Sequence, residues 1–271
     1  MKKAVLVVGS GPYGLCLSKY FAENDFSIIV ATIEEESIEK INSLGYHSIH
    51  TKDLYEDSCK TIYEESMKIL EENNLELVYI VHTSRLGFYE INKDDEPSQE
   101  WKDKMIEINS MSPLYFARLF QDTNCHFIYT SSGATKAFNR DLSIRVKEPK
   151  TGDKKIGTRG LKYYSYVKRL GEENLYNFYK ERNQLDLLTI IHISIMMKTH
   201  FFKDLNITDP KTKNLDADET ARRIVKEVLK GNQRIYPDYK AMALKLFPSY
   251  INKYVLEYAM EKLYLLEDEI I

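Results

Sequence analysis

The chain has 271 residues, enough for one sizeable core or at most two small domains. Its 43% hydrophobic and 29% charged residues describe an ordinary globular protein. A formal net charge of −3 argues against bulk nucleic-acid binding, and no apolar run is long enough to span a membrane as a helix.

Met1-Lys2-Lys3 followed by Ala4–Val8 has the outline of a signal peptide, but the apolar run stops at Gly9 with no cleavage site after it. It reads as a buried strand. Further strands are expected at Ser27–Ala31, Glu76–Val81, His126–Thr130, Leu187–Ile193 and Arg234–Tyr236, with a weaker one at His47–His50. Helices are expected at Tyr13–Glu23, Ile38–Leu44, Lys60–Glu72, Gln99–Phe120, Tyr164–Lys180 and Asp218–Lys230. The Val, Ile and Leu-rich strands lack clean alternation, as when helices cover both faces of a sheet. Alternation of strands with helices predicts an α/β, doubly wound parallel sheet of Rossmann type in a single domain, residues 1–237, followed by a helical extension, 238–271. Cys16, Cys59 and Cys125 are scattered and odd in number, which fits free thiols in a reducing cytoplasm. The six histidines show no metal-binding spacing.

The first strand runs into Gly9-Ser10-Gly11-Pro12-Tyr13-Gly14 and then a helix. In that setting Gly-x-Gly-x-x-Gly has a mechanism: the glycines allow a tight turn and close backbone approach, and the helix N-terminus offers N–H groups to a pyrophosphate. A glycine-rich strand-to-helix turn that binds nothing is the plain alternative. The second strand ends at Ala31-Thr32 with no acid for a ribose 2′-OH, although Glu34, Glu35 and Glu36 follow.

Downstream, Tyr164 and Lys168 stand four residues apart and share a helical face. A nearby ammonium favours the ionised phenol, and a phenol so tuned can exchange a proton with an alcohol or carbonyl. The spacing alone is weak, since Tyr176/Lys180 and Tyr258/Lys262 repeat it.

The order of features resembles the short-chain dehydrogenase/reductase superfamily over roughly residues 3 to 237. The family's serine falls on Ser132, its Tyr-x-x-x-Lys on Tyr164 and Lys168, and its helical asparagine on Asn109 in Ile106-Glu107-Ile108-Asn109. Asp216–Pro237 resembles the family's late helix-turn-strand. Departures are present. The glycine turn is one residue longer and Cys16 replaces its third glycine; His82-Thr83-Ser84-Arg85 replaces Asn-Asn-Ala-Gly; Ser194-Ile195 replaces Pro-Gly, with Thr199 kept beyond it.

The resemblance implies an NAD(P)-dependent oxidoreductase acting on a carbonyl or alcohol. Tyr164 would be acid/base, Lys168 would tune it and bind the nicotinamide ribose, Ser132 would polarise the carbonyl, and Asn109 would hold a relay water. Cofactor contacts are expected from Gly9, Ser10, Gly11, Tyr13, Gly14, Ala31, Thr32, His82, Thr83, Tyr164, Lys168 and Thr199. NADP(H) is expected over NAD(H) because the acid is missing at Ala31-Thr32. A nucleotide-binding regulator without catalysis is the alternative on the same fold. A homodimer or homotetramer is expected, with no nucleic-acid partner and no metal.

Two segments are left. Asn139–Lys162 reads as a long loop with eight basic and three acidic residues between Ser132 and Tyr164, suited to an anionic substrate or to a solvated surface. From Tyr239 onward, Leu244, Phe247, Ile251, Tyr254, Val255, Tyr258 and Leu263 recur at helical spacing, and packing on the domain is preferred over a subunit or membrane-surface contact.

Overall fold

A computed structural model describes residues 1–86, 98–136, 158–193 and 216–237. Thr199, most of the basic segment 139–162 and the extension 238–271 lie outside the described residues. Seven strands form one parallel sheet: β1 (Lys2–Val8), β2 (Ser27–Thr32), β3 (His47–His50), β4 (Leu75–His82), β5 (His126–Ser132), β6 (Leu188–Ile193) and β7 (Arg234–Ile235). The order is β3-β2-β1-β4-β5-β6-β7. The direction of strand progression reverses between β1 and β4, and in open α/β sheets ligands bind at the carboxyl ends of strands at such a switch point.

Helices cover both faces, so β1 is buried through its last five residues without a polar side. Ala4, Leu6 and Val8 enter one core with α3 (Glu56–Glu72), α5 (Ser112–Leu119) and α6 (Thr158–Glu181). Val5 and Val7 enter the other with α1 (Pro12–Ala22), α2 (Ser37–Ser43) and α7 (Ala217–Leu229). Alternate residues of one strand thus serve two cores, the period-2 rule applied to a sheet with no wet face.

The expected helix at Gln99–Phe120 is broken. Alpha helix α4 (Gln99–Ile106) gives way to a π-turn, Glu107–Met111, before α5 begins. Pro113 supplies the cause: without an N–H it cannot donate to the carbonyl of Asn109, so the ladder must widen there. The loop expected to run to Lys162 ends earlier, because α6 starts at Thr158. Residues 158–162 therefore belong to the helix that carries Tyr164. Other boundaries move by a turn or less; Leu185–Leu187, for example, forms a 3₁₀ turn ahead of β6. No helix among the described residues is long and apolar enough to cross a membrane.

Candidate functional site

The turn after β1 is tight for two reasons inside the protein. Gly9 has φ +115°, and a Cβ there would meet Thr83 Oγ1 at 2.6 Å and Ser84 Oγ at 2.7 Å. A Cβ on Gly14 would meet the Gly9 carbonyl oxygen at 2.0 Å. Both positions exclude any side chain. Gly11 differs. Its φ is −57°, it caps α1 without a side-chain bond, and a Cβ would meet nothing within 4 Å. Nothing within the described residues requires glycine there, whereas close approach of a pyrophosphate to the helix N-terminus would. The turn therefore fits a dinucleotide, which Gly11 and the first N–H groups of α1 would hold.

Tyr13 points the other way. Its side chain is buried in the core with Leu17 and Phe21, and burial pushes its phenol far above the usual range against Thr130.

The rim where β2 ends is a hydroxyl and carboxylate cluster. Gly9 N–H donates to Ala31 O at 2.9 Å, and Ser10 and Thr32 share a hydrogen bond of 2.6 Å between hydroxyls. Thr32 Oγ1 accepts from Glu34 N–H at 3.0 Å. Ser10 and Ser37 donate to Glu34 Oε2 at 3.3 and 2.9 Å. Glu34 was not among the expected contacts. Its contact with Ser10 spans 24 residues, from the glycine turn to the end of β2, which no linear motif records.

On the other side of the switch point, Thr83 and Ser84 N–H groups both donate to Val8 O, at 2.9 and 3.0 Å, and Thr83 Oγ1 donates to the same oxygen at 2.9 Å. His82 is fully buried, with Nε2 3.0 Å from Ser112 Oγ and its ring against Phe116 and Tyr129. Burial, with help from the Lys168 charge, holds its pKa down at about 3. The His82 side chain belongs to the core, so only its backbone can face a ligand.

The catalytic candidates lie on β5, α6 and the π-turn. Asn109 is fully buried: Nδ2 donates to Leu86 O at 3.0 Å, and its carbonyl, the one Pro113 leaves without a donor, accepts from Tyr129 Oη at 2.7 Å. Tyr129 therefore fills one of the two lone pairs that the expected relay water would use. Asn109 Oδ1 and Ser165 Oγ are buried without a partner among the described residues, places for a bound water or ligand atom. Lys168 is 1% exposed; its ammonium donates to Thr130 O at 3.0 Å and lies 4.9 Å from the centre of the Tyr129 ring. Burial, and then the Arg85 charge, lowers its pKa to about 7 against the pull of Glu172. Tyr164 is 4% exposed on the same helical face. Lys168, Tyr129 and Asn109 are thus stacked, and Ser132 ends the strand that holds Tyr129.

Spacing and family likeness overlooked two residues of α6. Gly171 packs on the π-turn, where a Cβ would meet Tyr129 Oη at 2.7 Å and Asn109 O at 2.8 Å. Glu172, four residues after Lys168, is 9% exposed and bonded to Ser131 and Thr135. The i, i+4 rule could have found Glu172; Gly171 has no linear signal.

No protein-family model matches the chain, and no curated protein does either. Solved structures do. An alcohol dehydrogenase from the archaeon Thermococcus sibiricus, complexed with 5-hydroxy-NADP, has a TM-score of 0.64 at 17% identity, covering 87% of this chain and 94% of that one. A short-chain dehydrogenase from Burkholderia cenocepacia in complex with NADP gives 0.66 at 9% identity, covering 90% and 92%. A short-chain dehydrogenase/reductase from Burkholderia phymatum in complex with NAD gives 0.65 at 12%, again covering 90% and 92%. The seven-stranded parallel sheet and its helices therefore have the Rossmann-type fold seen in these short-chain dehydrogenases and this alcohol dehydrogenase.

Proposed function

We propose that this chain is a nicotinamide-dependent oxidoreductase that interconverts a carbonyl and an alcohol, with Tyr164 as its acid/base. The observation that carries the reading is Lys168, a lysine buried to 1% one helical turn from Tyr164. Burying an ammonium costs stability and is kept where the charge has work to do. The matched alcohol dehydrogenase and short-chain dehydrogenases support the reading by analogy of fold.

The nicotinamide supplies or accepts the hydride when bound. Tyr164 donates its phenolic proton to the carbonyl oxygen in reduction and takes it back in oxidation. Lys168 favours the phenolate that results, and Ser132 donates a hydrogen bond to the oxygen on which charge develops. Gly11 and the N-terminus of α1 hold the pyrophosphate. Arg85 stands between Ser84, bonded to Val8, and Leu86, bonded to Asn109, and its charge is felt at Lys168. With the basic residues of 139–162 it favours an anionic substrate.

NADP(H) is our preferred cofactor, from the missing acid at Ala31-Thr32 and the NADP carried by several matched structures. A second reading, NAD(H), is favoured by the Glu34 carboxylate, which would repel a 2′-phosphate and accept from a 2′-OH. Binding without catalysis is the remaining alternative, which the departures of the glycine turn, with Cys16 in place of its third glycine, would suit. Tyr164→Phe decides between enzyme and binder: on a substrate found by screening carbonyl compounds, turnover should vanish while the dinucleotide still binds. Wild-type turnover in that variant would refute the mechanism.

A further inference from the structure

Two hydroxyl donors and a histidine nitrogen converge on one carboxylate oxygen inside the domain. Ser131 Oγ donates to Glu172 Oε1 at 2.5 Å and Thr135 Oγ1 donates to it at 3.0 Å. His192 Nδ1, from the end of β6, lies 3.4 Å from the same atom. Ser131, Thr135 and His192 are 4%, 2% and 0% exposed. The single Thr135 hydroxyl proton is shared with Ser132 O, 2.9 Å away, and an Arg169 guanidinium N–H donates to Thr135 O. Ser132 therefore sits in a short turn whose two flanks, Ser131 and Thr135, are fastened to a single side chain.

That side chain stands at a telling place in the helix. Tyr164, Lys168 and Glu172 follow at i, i+4 and i+8, one stripe of α6. The stripe that carries the proposed proton donor and its cation thus also grips the turn that carries the proposed carbonyl ligand. The His192 ring lies beside the same carboxylate oxygen and is itself stacked on Tyr236, with ring centroids 4.9 Å apart. A buried carboxylate that takes two hydroxyls from one short turn is costly to loosen and holds its partners in one geometry.

We infer that Glu172 is a positioning residue, which clamps the Ser131–Thr135 turn and so sets Ser132 at a fixed place relative to Tyr164 and Lys168. It touches no substrate; it acts through Ser132, and its effect on turnover rests on the oxidoreductase reading above. Glutamine retains an oxygen for Ser131 and Thr135, so Glu172→Gln keeps the clamp, whereas Glu172→Ala releases it.

The test begins with amide hydrogen exchange on the full-length protein, which needs no substrate. In Glu172→Ala, exchange at residues 131–136 should rise about tenfold or more while β1 and β4 stay protected, since losing a hydrogen bond to a charged group opens a segment locally. Ser131→Ala, which leaves the carboxylate in place, should give a smaller rise, and Glu172→Gln nearly none. On a working substrate, Glu172→Ala should lower kcat by about 100-fold, the size of losing a donor to a developing oxyanion, with dinucleotide affinity unchanged. The double variant with Ser132→Ala should be no slower than Ser132→Ala alone, the non-additivity of residues that act as a unit. Unchanged exchange at 131–136 in both Glu172→Ala and Ser131→Ala would overturn the clamp. A kcat loss that adds to that of Ser132→Ala would overturn its action through Ser132. Neither result touches the oxidoreductase reading, which fails separately if Tyr164→Phe keeps its turnover.

Discussion

The two sides of the candidate site are built on opposite plans. On the β1–β2 side the backbone makes the site: a turn with no room for side chains at Gly9 and Gly14, an uncapped helix N-terminus, and a rim of small hydroxyls around Glu34. On the β5–α6 side buried side chains make it: Lys168 on Tyr129, Tyr129 on Asn109, and Glu172 under Ser131 and Thr135. The first plan suits a ligand bound through its phosphates, which needs N–H groups and closeness. The second suits proton transfer, which needs charges fixed in a dry place. Damage to the first side should therefore appear in binding or in folding, and damage to the second in rate and pH dependence.

The sharpest form of that contrast is Tyr164→Phe, expected to lower turnover by on the order of 10²–10⁴-fold with dinucleotide affinity retained. A parallel loss of affinity would erase the division between the sides. Next in size is Gly14→Ala. With its Cβ only 2.0 Å from the Gly9 carbonyl oxygen, the turn must open. Denaturant unfolding should show a loss of about 3 kcal/mol, at the upper end for overpacking. Gly171→Ala, on the other side, pushes on Tyr129 Oη and Asn109 O and should cost about 1–3 kcal/mol by the same mechanism. Unlike Gly14→Ala, it should also slow turnover, because the contacts it strains lie beneath Lys168.

The buried charges give the second side a pH signature. Lys168 has a folded pKa near 7 against 10.5 for a free lysine, because burial and Arg85 oppose its charge. Between those values the unfolded chain binds more protons than the folded one, so stability should rise as pH goes from 7 to about 10. Lys168→Met should flatten that rise in unfolding titrations and stabilise the protein most at the lower end. His82 works lower on the scale: its pKa is held near 3 from 6.5, so the stability of the neutral ring is full above pH 6.5 and lost toward pH 3. A His82 variant without a titrating ring should be less sensitive to acid in that window. The smallest expected effect is Glu34→Gln, which should shift the NADPH to NADH affinity ratio toward NADPH by about tenfold or less, as for one partly buried charge at the rim of the site. No shift would remove Glu34 from the ribose site.

The sheet was largely legible. Apolar runs bounded by glycine and polar turns marked β1, β2, β4, β5 and β6, because parallel strands buried on both faces need such runs. His47–His50, the faintest of them, is an edge strand paired only with β2. The break at Asn109 was legible too, in Pro113, but hydrophobic periodicity carried the expected helix across it. Gly9 is explained by Thr83 and Ser84 just after β4 and Gly14 by the Gly9 carbonyl, so the glycine motif carries less ligand information than its pattern suggests, and Gly11 carries more. Gly171 was not legible, and Glu172 only by its spacing from Lys168, because what matters about them is what other elements bring against them: partners 37 and 41 residues away for Glu172, and β5 with the π-turn for Gly171.

The central claim is that the turn after β1 holds a dinucleotide for chemistry at Tyr164. Calorimetric titration of NADPH and NADH into the wild-type chain and into Gly11→Ala tests it most directly. A Cβ at residue 11 meets nothing within 4 Å among the described residues, so the variant should fold with a loss of less than about 1 kcal/mol, the scale of a helix-cap change. The prediction is that the wild-type chain binds, with NADPH tighter than NADH, and that Gly11→Ala binds at least about tenfold more weakly, a loss of roughly 1.4 kcal/mol. No heat from either dinucleotide at millimolar concentration, or equal affinity in the two proteins, would contradict the account.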